Sequence, residues 1–261
     1  MEFVEMYDKK LNNKQIGQIL HSTVLNINSE DQELTEIAIQ ALSRAIPSTA
    51  ENFANDEQRT FIVDGLFKAA EMGNASIEEV ALQAISETPF VGYTHIASMI
   101  ERMGVKTMSL MQTDRYSAIR FALLFWTNLA RVELRMIEDG QSQNIIQSCL
   151  ESLLQIMQTG LEITELDIEA DIQLEDAEDD QKWTVHEAAA NLLQEISAIA
   201  KEAIFNQFME YATNKLQADD WINQYVGMSI IARVLVGPSS ETIYFGCKDM
   251  WQSLFQLLQS T

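Results

Sequence analysis

The chain has 261 residues, 47% of them apolar, which suits one large domain, two ordinary ones or an extended array. Its 17 Lys and Arg face 39 Asp and Glu, for a net charge of −22. That balance argues against binding a phosphate backbone and favours basic partners. Cys149 and Cys247 are too far apart to suggest a disulfide framework, Met1–Glu5 is acidic where a signal peptide would be basic, and no apolar run approaches a membrane span of roughly 18 residues.

With three prolines and ten glycines, and with Ala, Leu, Ile, Gln and Glu throughout, the chain is predicted to be nearly all helix. Ile16, Ile19, Leu20, Thr23, Val24 and Ile27 form an apolar stripe at helical spacing, as do Ile145, Ile146, Cys149, Leu150, Leu153, Leu154 and Met157. The helices come in pairs, predicted at about 13–27 and 31–46, 56–72 and 76–88, 93–111 and 114–131, 142–160 and 183–200, and 201–217 and 220–236. A last helix is predicted near 240–259. Ser29, Asp56, Ser76, Asp114 and Asp219 are the expected N-caps, and Gly237-Pro238 is a stop.

The second helices resemble one another. Glu36-Ile37-Ala38-Ile39-Gln40-Ala41-Leu42 parallels Glu79-Val80-Ala81-Leu82-Gln83-Ala84-Ile85, and the pattern returns around Ile119, Ala189 and Gly227. The steps are roughly 43, 38, 70 and 38 residues, close to the period of about 40–47 of HEAT-type helical repeats. Small residues recur there because stacked helices must approach closely. The expected fold is all-α: a single α-solenoid of about five to six HEAT repeats over 1–261. The long step is one repeat plus an insertion of about thirty residues, which places an acidic loop, about 161–182, inside a repeat.

That loop carries the strongest chemical signal. No Lys, Arg or His occurs between Arg135 and Lys182, and about half of the residues from Glu162 to Asp180 are acidic. The run ends in Glu175-Asp176-Ala177-Glu178-Asp179-Asp180 and reaches Trp183. A block of like charge stays solvated and builds no core, but it can recruit a cation, which a neighbouring Trp can cover. Trp221 has the same acidic approach, Asp219-Asp220-Trp221. Either Trp could instead pack between repeats, as aromatics at helical spacing commonly do. Trp126, within Leu124-Phe125-Trp126-Thr127-Asn128, reads as partly core.

Catalytic signals are poor. His21, His95 and His186 are scattered, and no phosphate loop, nucleophile elbow, HExxH or calcium-loop spacing occurs. The chain is expected to be no enzyme and to need no cofactor or metal.

Several stretches together resemble the importin-beta (karyopherin-beta) family of nuclear transport receptors. The acidic run into Trp183-Thr184-Val185-His186-Glu187-Ala188-Ala189 resembles that family's acidic loop and following helix. Leu124-Phe125-Trp126-Thr127-Asn128 is similar to its Phe-Trp-Ser-Asn element. Asp219-Asp220-Trp221 through Val234-Leu235-Val236-Gly237-Pro238 is similar to its Asp-Trp…Gly-Pro repeat. Glu51-Asn52-Phe53 with Arg59-Thr60-Phe61-Ile62 is similar to an Asn-Phe…Arg-His-Phe-Ile stretch. The matches keep the family's order and cover the middle of its solenoid, about the fifth to tenth repeats, so the chain reads as a fragment or a reduced relative. His186-Glu187 stands where the family has Cys-Lys.

The resemblance implies two sites. FG nucleoporins would insert Phe between neighbouring outer helices at Ile16, Leu20, Phe61 and Ile62. From periodicity alone, these four could equally be core. A basic cargo or adaptor helix of the importin-alpha type, or Ran, would meet Asp176, Glu178, Asp179, Asp180, Trp183 and Trp221 on a concave face. The family's main Ran-contacting N-terminal repeats have no counterpart here, which would weaken Ran-GTP binding. The implied role is nuclear protein import, in cytoplasm, nucleus and pore, with neither nucleic-acid binding nor membrane insertion. The alternative is a HEAT scaffold of another process, of phosphatase or vesicle-coat type, whose acidic loop binds a different basic ligand.

Overall fold

The computed structural model describes residues 13–27, 29, 31–162 and 184–247, and all of the structure found there is helix or turn. The fold is all-α, built of antiparallel helix pairs stacked as in a HEAT-type α-solenoid. Two compact units divide at Ile145.

The first unit contains α1 (Asn13–Asn26), α2 (Gln32–Ala45), α3 (Asp56–Ala70), α4 (Ala75–Glu87), α5 (Ala97–Leu110) and α6 (Tyr116–Glu138). The second helices α2, α4 and α6 pack in series. Buried residues at helical spacing drive this packing: Ile39 and Leu42 on α2, Leu82 and Ile85 on α4, and Leu123, Trp126 and Leu129 on α6. Each such side chain contributes about 1.5–3 kcal/mol on burial. Trp126 is 2% exposed, and its indole donates to Thr107 Oγ1 (3.0 Å), so it belongs to the core.

Polar bonds repeat at the repeat period and pin the stack. Ser76 Oγ donates to Glu36 Oε2 (3.0 Å) and Ser117 Oγ to Glu79 Oε1 (2.6 Å). Glu78 is buried under Lys106 Nζ (2.5 Å) and the Arg115 guanidinium, and Lys106 also donates to the Ala70 carbonyl (2.8 Å). One carboxylate thus holds α3, α4, α5 and the start of α6. Buried Glu133 accepts from Tyr93 Oη (2.7 Å) and from Ser142.

The second unit contains α7 (Leu150–Leu161), α8 (Val185–Ala200), α9 (Glu202–Leu216), α10 (Trp221–Val234) and α11 (Ser240–Gly246). Helices α7 and α8 pack on each other, so the acidic insertion falls between the two helices of one pair. Helix α10 crosses α9 at Gly227, where a Cβ would come within 2.9 Å of the Ala212 carbonyl oxygen. This is the close approach that the recurrent small residues predict.

Several boundaries differ from expectation. The caps are Asp31, Asn55, Asn74 and Asp220, each accepting from backbone N–H groups of the first turn, and Arg115 precedes α6 with no side-chain cap. Ser29, Asp56, Ser76, Asp114 and Asp219 lie one or two positions away, because the capping residue is the extended one whose oxygen reaches the second or third N–H. The helix predicted at 142–160 breaks at Cys149 into Ile145–Ser148 and Leu150–Leu161. Helix α6 runs seven residues past the predicted 131, since Val132 and Glu133 are still buried there.

Candidate binding surfaces

Three of the four residues expected at an aromatic-binding site converge. Helices α1 and α3 are first helices of adjacent pairs, and between them lies a groove of about 760 Å³. Leu20 (3% exposed) and Ile62 (2%) form its floor, and half-buried Phe61 forms a wall. Ile16 lies on α1, but its side chain falls outside the described residues.

The sequence reading missed the rest of this groove. The His21 ring stacks on Phe61, with centroids 5.2 Å apart and planes at 26°. Amides line the rim: Gln18, Asn52, Asn55 and Gln58, with Asn52 Nδ2 donating to Gln58 Oε1 (2.7 Å). The groove has an apolar floor, a flat aromatic wall, and amides together with the Glu51 carboxylate at its edge. That combination takes an aromatic side chain and leaves partners for the adjoining main chain. A second groove of about 600 Å³ continues past Phe61, lined by Val24, Thr60, Asp64, Gly65 and Lys68. Gly65 permits the contact beneath it, because a Cβ there would meet Val24 Cγ1 at 2.8 Å. The signal available in the sequence was Gly17 and Gly65, glycines inside helical patterns.

The second expected site is only partly covered. Asp176, Glu178, Asp179, Asp180 and Trp183 lie outside the described residues. Trp221 is described: it opens α10 and is 48% exposed, so it is no inter-repeat packing residue. Half-exposed Tyr225 and exposed Met228 continue its stripe. Beside it Asp220 caps α10, accepting from the Asn223 backbone (2.8 Å) and side-chain amide (2.7 Å). Those two bonds hold its carboxyl below the usual range, the side-chain amide first.

The described residues on either side of the insertion are bonded within the unit. At its start, Glu162 accepts from Lys215 Nζ (2.9 Å) and from the Tyr211 hydroxyl. Burial pushes the Glu162 carboxyl up, but these bonds together outweigh it and the net shift is downward. Burial, then Glu162, pushes the Tyr211 hydroxyl up. Lys215 also reaches Asn223 Oδ1 (2.9 Å), linking the stem to the Trp221 turn. At its end Thr184 caps α8, and Glu187 pairs with Arg233 (2.5 Å). His186 is fully buried, its Nε2 3.0 Å from Ser229 Oγ and its Nδ1 without a hydrogen-bond partner. Burial, opposed by the Leu161 carbonyl and aided by Arg233, lowers its pKa to about 4.

Among the described residues, no group of three His, Cys, Asp or Glu is placed to hold a metal, and no helix is long and apolar enough to cross a membrane.

No protein-family model matches the chain. It is similar to importin subunit beta-1 of Schizosaccharomyces pombe, 22% identical over 86% of this chain. It is also similar to importin subunit beta-1 of Arabidopsis thaliana, 19% identical over 87%. In both comparisons it spans 27% of the relative's length. Among solved structures, yeast importin-beta (Kap95p), in a study of its binding to RanGDP, matches with TM-score 0.78 and 16% identity over 94% of this chain and 30% of that one. A Kap95:Nup1 complex matches with TM-score 0.76 and 16% identity over 90% of this chain and 27% of that one. The solved structures speak for the fold and the curated relatives for the likeness: the chain is a HEAT-type α-solenoid similar to part of importin subunit beta-1.

Proposed function

We propose that this chain is a nuclear transport receptor segment that binds FG nucleoporins in the α1–α3 groove. The observation that carries this reading is the convergence of Leu20, Phe61 and Ile62 around an open apolar groove with an amide rim. A phenylalanine ring would cover Leu20 and Ile62 and lie against Phe61, while Asn52 and Gln58 face the neighbouring main chain. One such contact is weak, and many in succession give useful avidity with fast exchange.

The same proposal assigns a basic cargo or adaptor helix, of the importin-alpha type, to the Trp221 face and the acidic insertion. Trp221 offers an exposed ring for a cation, and Asp219, Asp220 and the run Asp176, Glu178, Asp179 and Asp180 offer carboxylates. Ran-GTP would compete for the same acids. The expected setting is cytoplasm, nucleus and nuclear pore.

Immobilised Phe-Gly repeat peptide tests the first site. Wild type should be retained, and Phe61→Ser should lose at least about ten-fold in affinity, since the ring's area burial goes with it. Retention of the two proteins alike, both folded by circular dichroism, would sink the assignment. For the second site, reversing Asp176, Glu178, Asp179 and Asp180 to Lys should abolish the salt-dependent capture of a basic helical peptide.

A further inference from the structure

The amide rim of the α1–α3 groove has a bonding pattern of its own. Asn52 lies on the short helix Ala50–Ala54 and is 8% exposed, while Gln58 lies in the first turn of α3 and is exposed. Their side chains share one hydrogen bond, from Asn52 Nδ2 to Gln58 Oε1 at 2.7 Å, and both line the groove. A carboxamide donates at one atom and accepts at the other. Two carboxamides joined by one bond therefore keep one oxygen without a donor and one NH2 without an acceptor, whichever way round they are joined. Among the described residues, neither of these finds a further partner, and the Asn52 oxygen is not sealed in.

The pair is held in place from several sides. Asn55 caps α3 by accepting from the Gln58 backbone N–H (3.1 Å), which fixes the turn that carries Gln58. Arg59 of α3 donates to the Phe53 carbonyl (2.8 Å), tying α3 to the short helix, and to Asp56 (2.6 Å). The α1 backbone passes Asn52 at Gly17, where a Cβ would touch Nδ2 at 3.6 Å. A rim so fixed loses little freedom on binding, so its bonds count for more than those of loose surface amides. One unengaged donor and one unengaged acceptor match what a stretch of peptide main chain offers, a C=O and an N–H. Glu51 on the same rim disfavours an acidic peptide.

We propose that the Asn52–Gln58 pair reads the main chain beside the inserted ring, accepting from one of its N–H groups and donating to one of its carbonyls. The groove then selects an aromatic residue whose neighbouring peptide groups are uncrowded, as they are beside glycine, and rejects the same ring next to an N-substituted residue. This rests on the reading of the α1–α3 groove as an aromatic-binding site.

Fluorescence anisotropy of the full chain with a short labelled Phe-Gly peptide tests it, beside two copies N-methylated at the phenylalanine or at the following glycine. One of the methylated peptides should bind wild type about five-fold more weakly, the loss of one hydrogen bond. Asn52→Leu with Gln58→Met replaces both amides by apolar groups, and there the methylation penalty should fall to less than about two-fold. Gln58→Glu serves if that double variant fails to fold. It keeps the bond to Asn52 but turns the unengaged donor into an acceptor, so all three peptides should weaken about five-fold and the methylation penalty should persist. Equal binding of the three peptides by wild type would overturn the proposal, as would an undiminished penalty in the folded double variant or unchanged affinities in Gln58→Glu. No binding of the unmethylated peptide by wild type would remove the groove reading itself, and this inference with it.

Discussion

His186 gives the sharpest stability prediction. Its ring is fully buried between α8 and α10, with Ser229 on Nε2 and the Leu161 carbonyl only partly opposing the effect of burial. Protonation would place a second cation near Arg233 in a site with no carboxylate bonded to the ring, which is why burial depresses its pKa from 6.5 to about 4. A histidine depressed in the folded state takes up its proton first in the unfolded chain. Its contribution is therefore complete above pH 6.5 and declines as pH falls towards 4, by about 3 kcal/mol in full and about 2 kcal/mol by pH 5. The assay is urea unfolding, followed by circular dichroism, of wild type and His186→Gln at pH 7 and pH 5. Glutamine can still meet Ser229 but does not titrate, and its packing cost is the same at both pH values. Glu162, Glu87 and the other carboxylates titrate alike in both proteins and cancel. The gap between the two proteins should close by about 2 kcal/mol on going to pH 5. Parallel pH dependences would refute the burial argument.

Two other perturbations follow from particular contacts. Glu78→Gln leaves Lys106 and Arg115 facing a neutral amide in a buried site, and should cost about 3 kcal/mol in chemical denaturation. Lys201 joins α8 to α9 with φ 48° and ψ −120°, a conformation natural to glycine. Lys201→Gly should therefore raise stability by about 1 kcal/mol, visible as a higher unfolding midpoint.

The sequence by itself determined the helical pairs, their period and the place of the acidic insertion. Those features are local or periodic: few breakers, apolar residues every three or four positions, and small residues where helices cross. It also marked Leu20, Phe61 and Ile62, through a family resemblance, since their spacing alone fits core as well as groove. Tertiary structure decided which of these side chains shows a face to solvent. Leu20 and Ile62 are almost wholly covered, and the groove is open because Phe61 and Gln58 on α3, with Asn52 from the short helix before it, stand around them. Likewise Trp126 and Trp221 are both Trp on second helices, yet one is core and the other exposed. The difference lies in position along the helix: Trp126 sits mid-helix against α5, where Thr107 bonds its indole, while Trp221 opens the first turn of α10. Periodicity determines which residues face inward, but what they meet depends on chain segments tens of residues away, and that is settled only by packing.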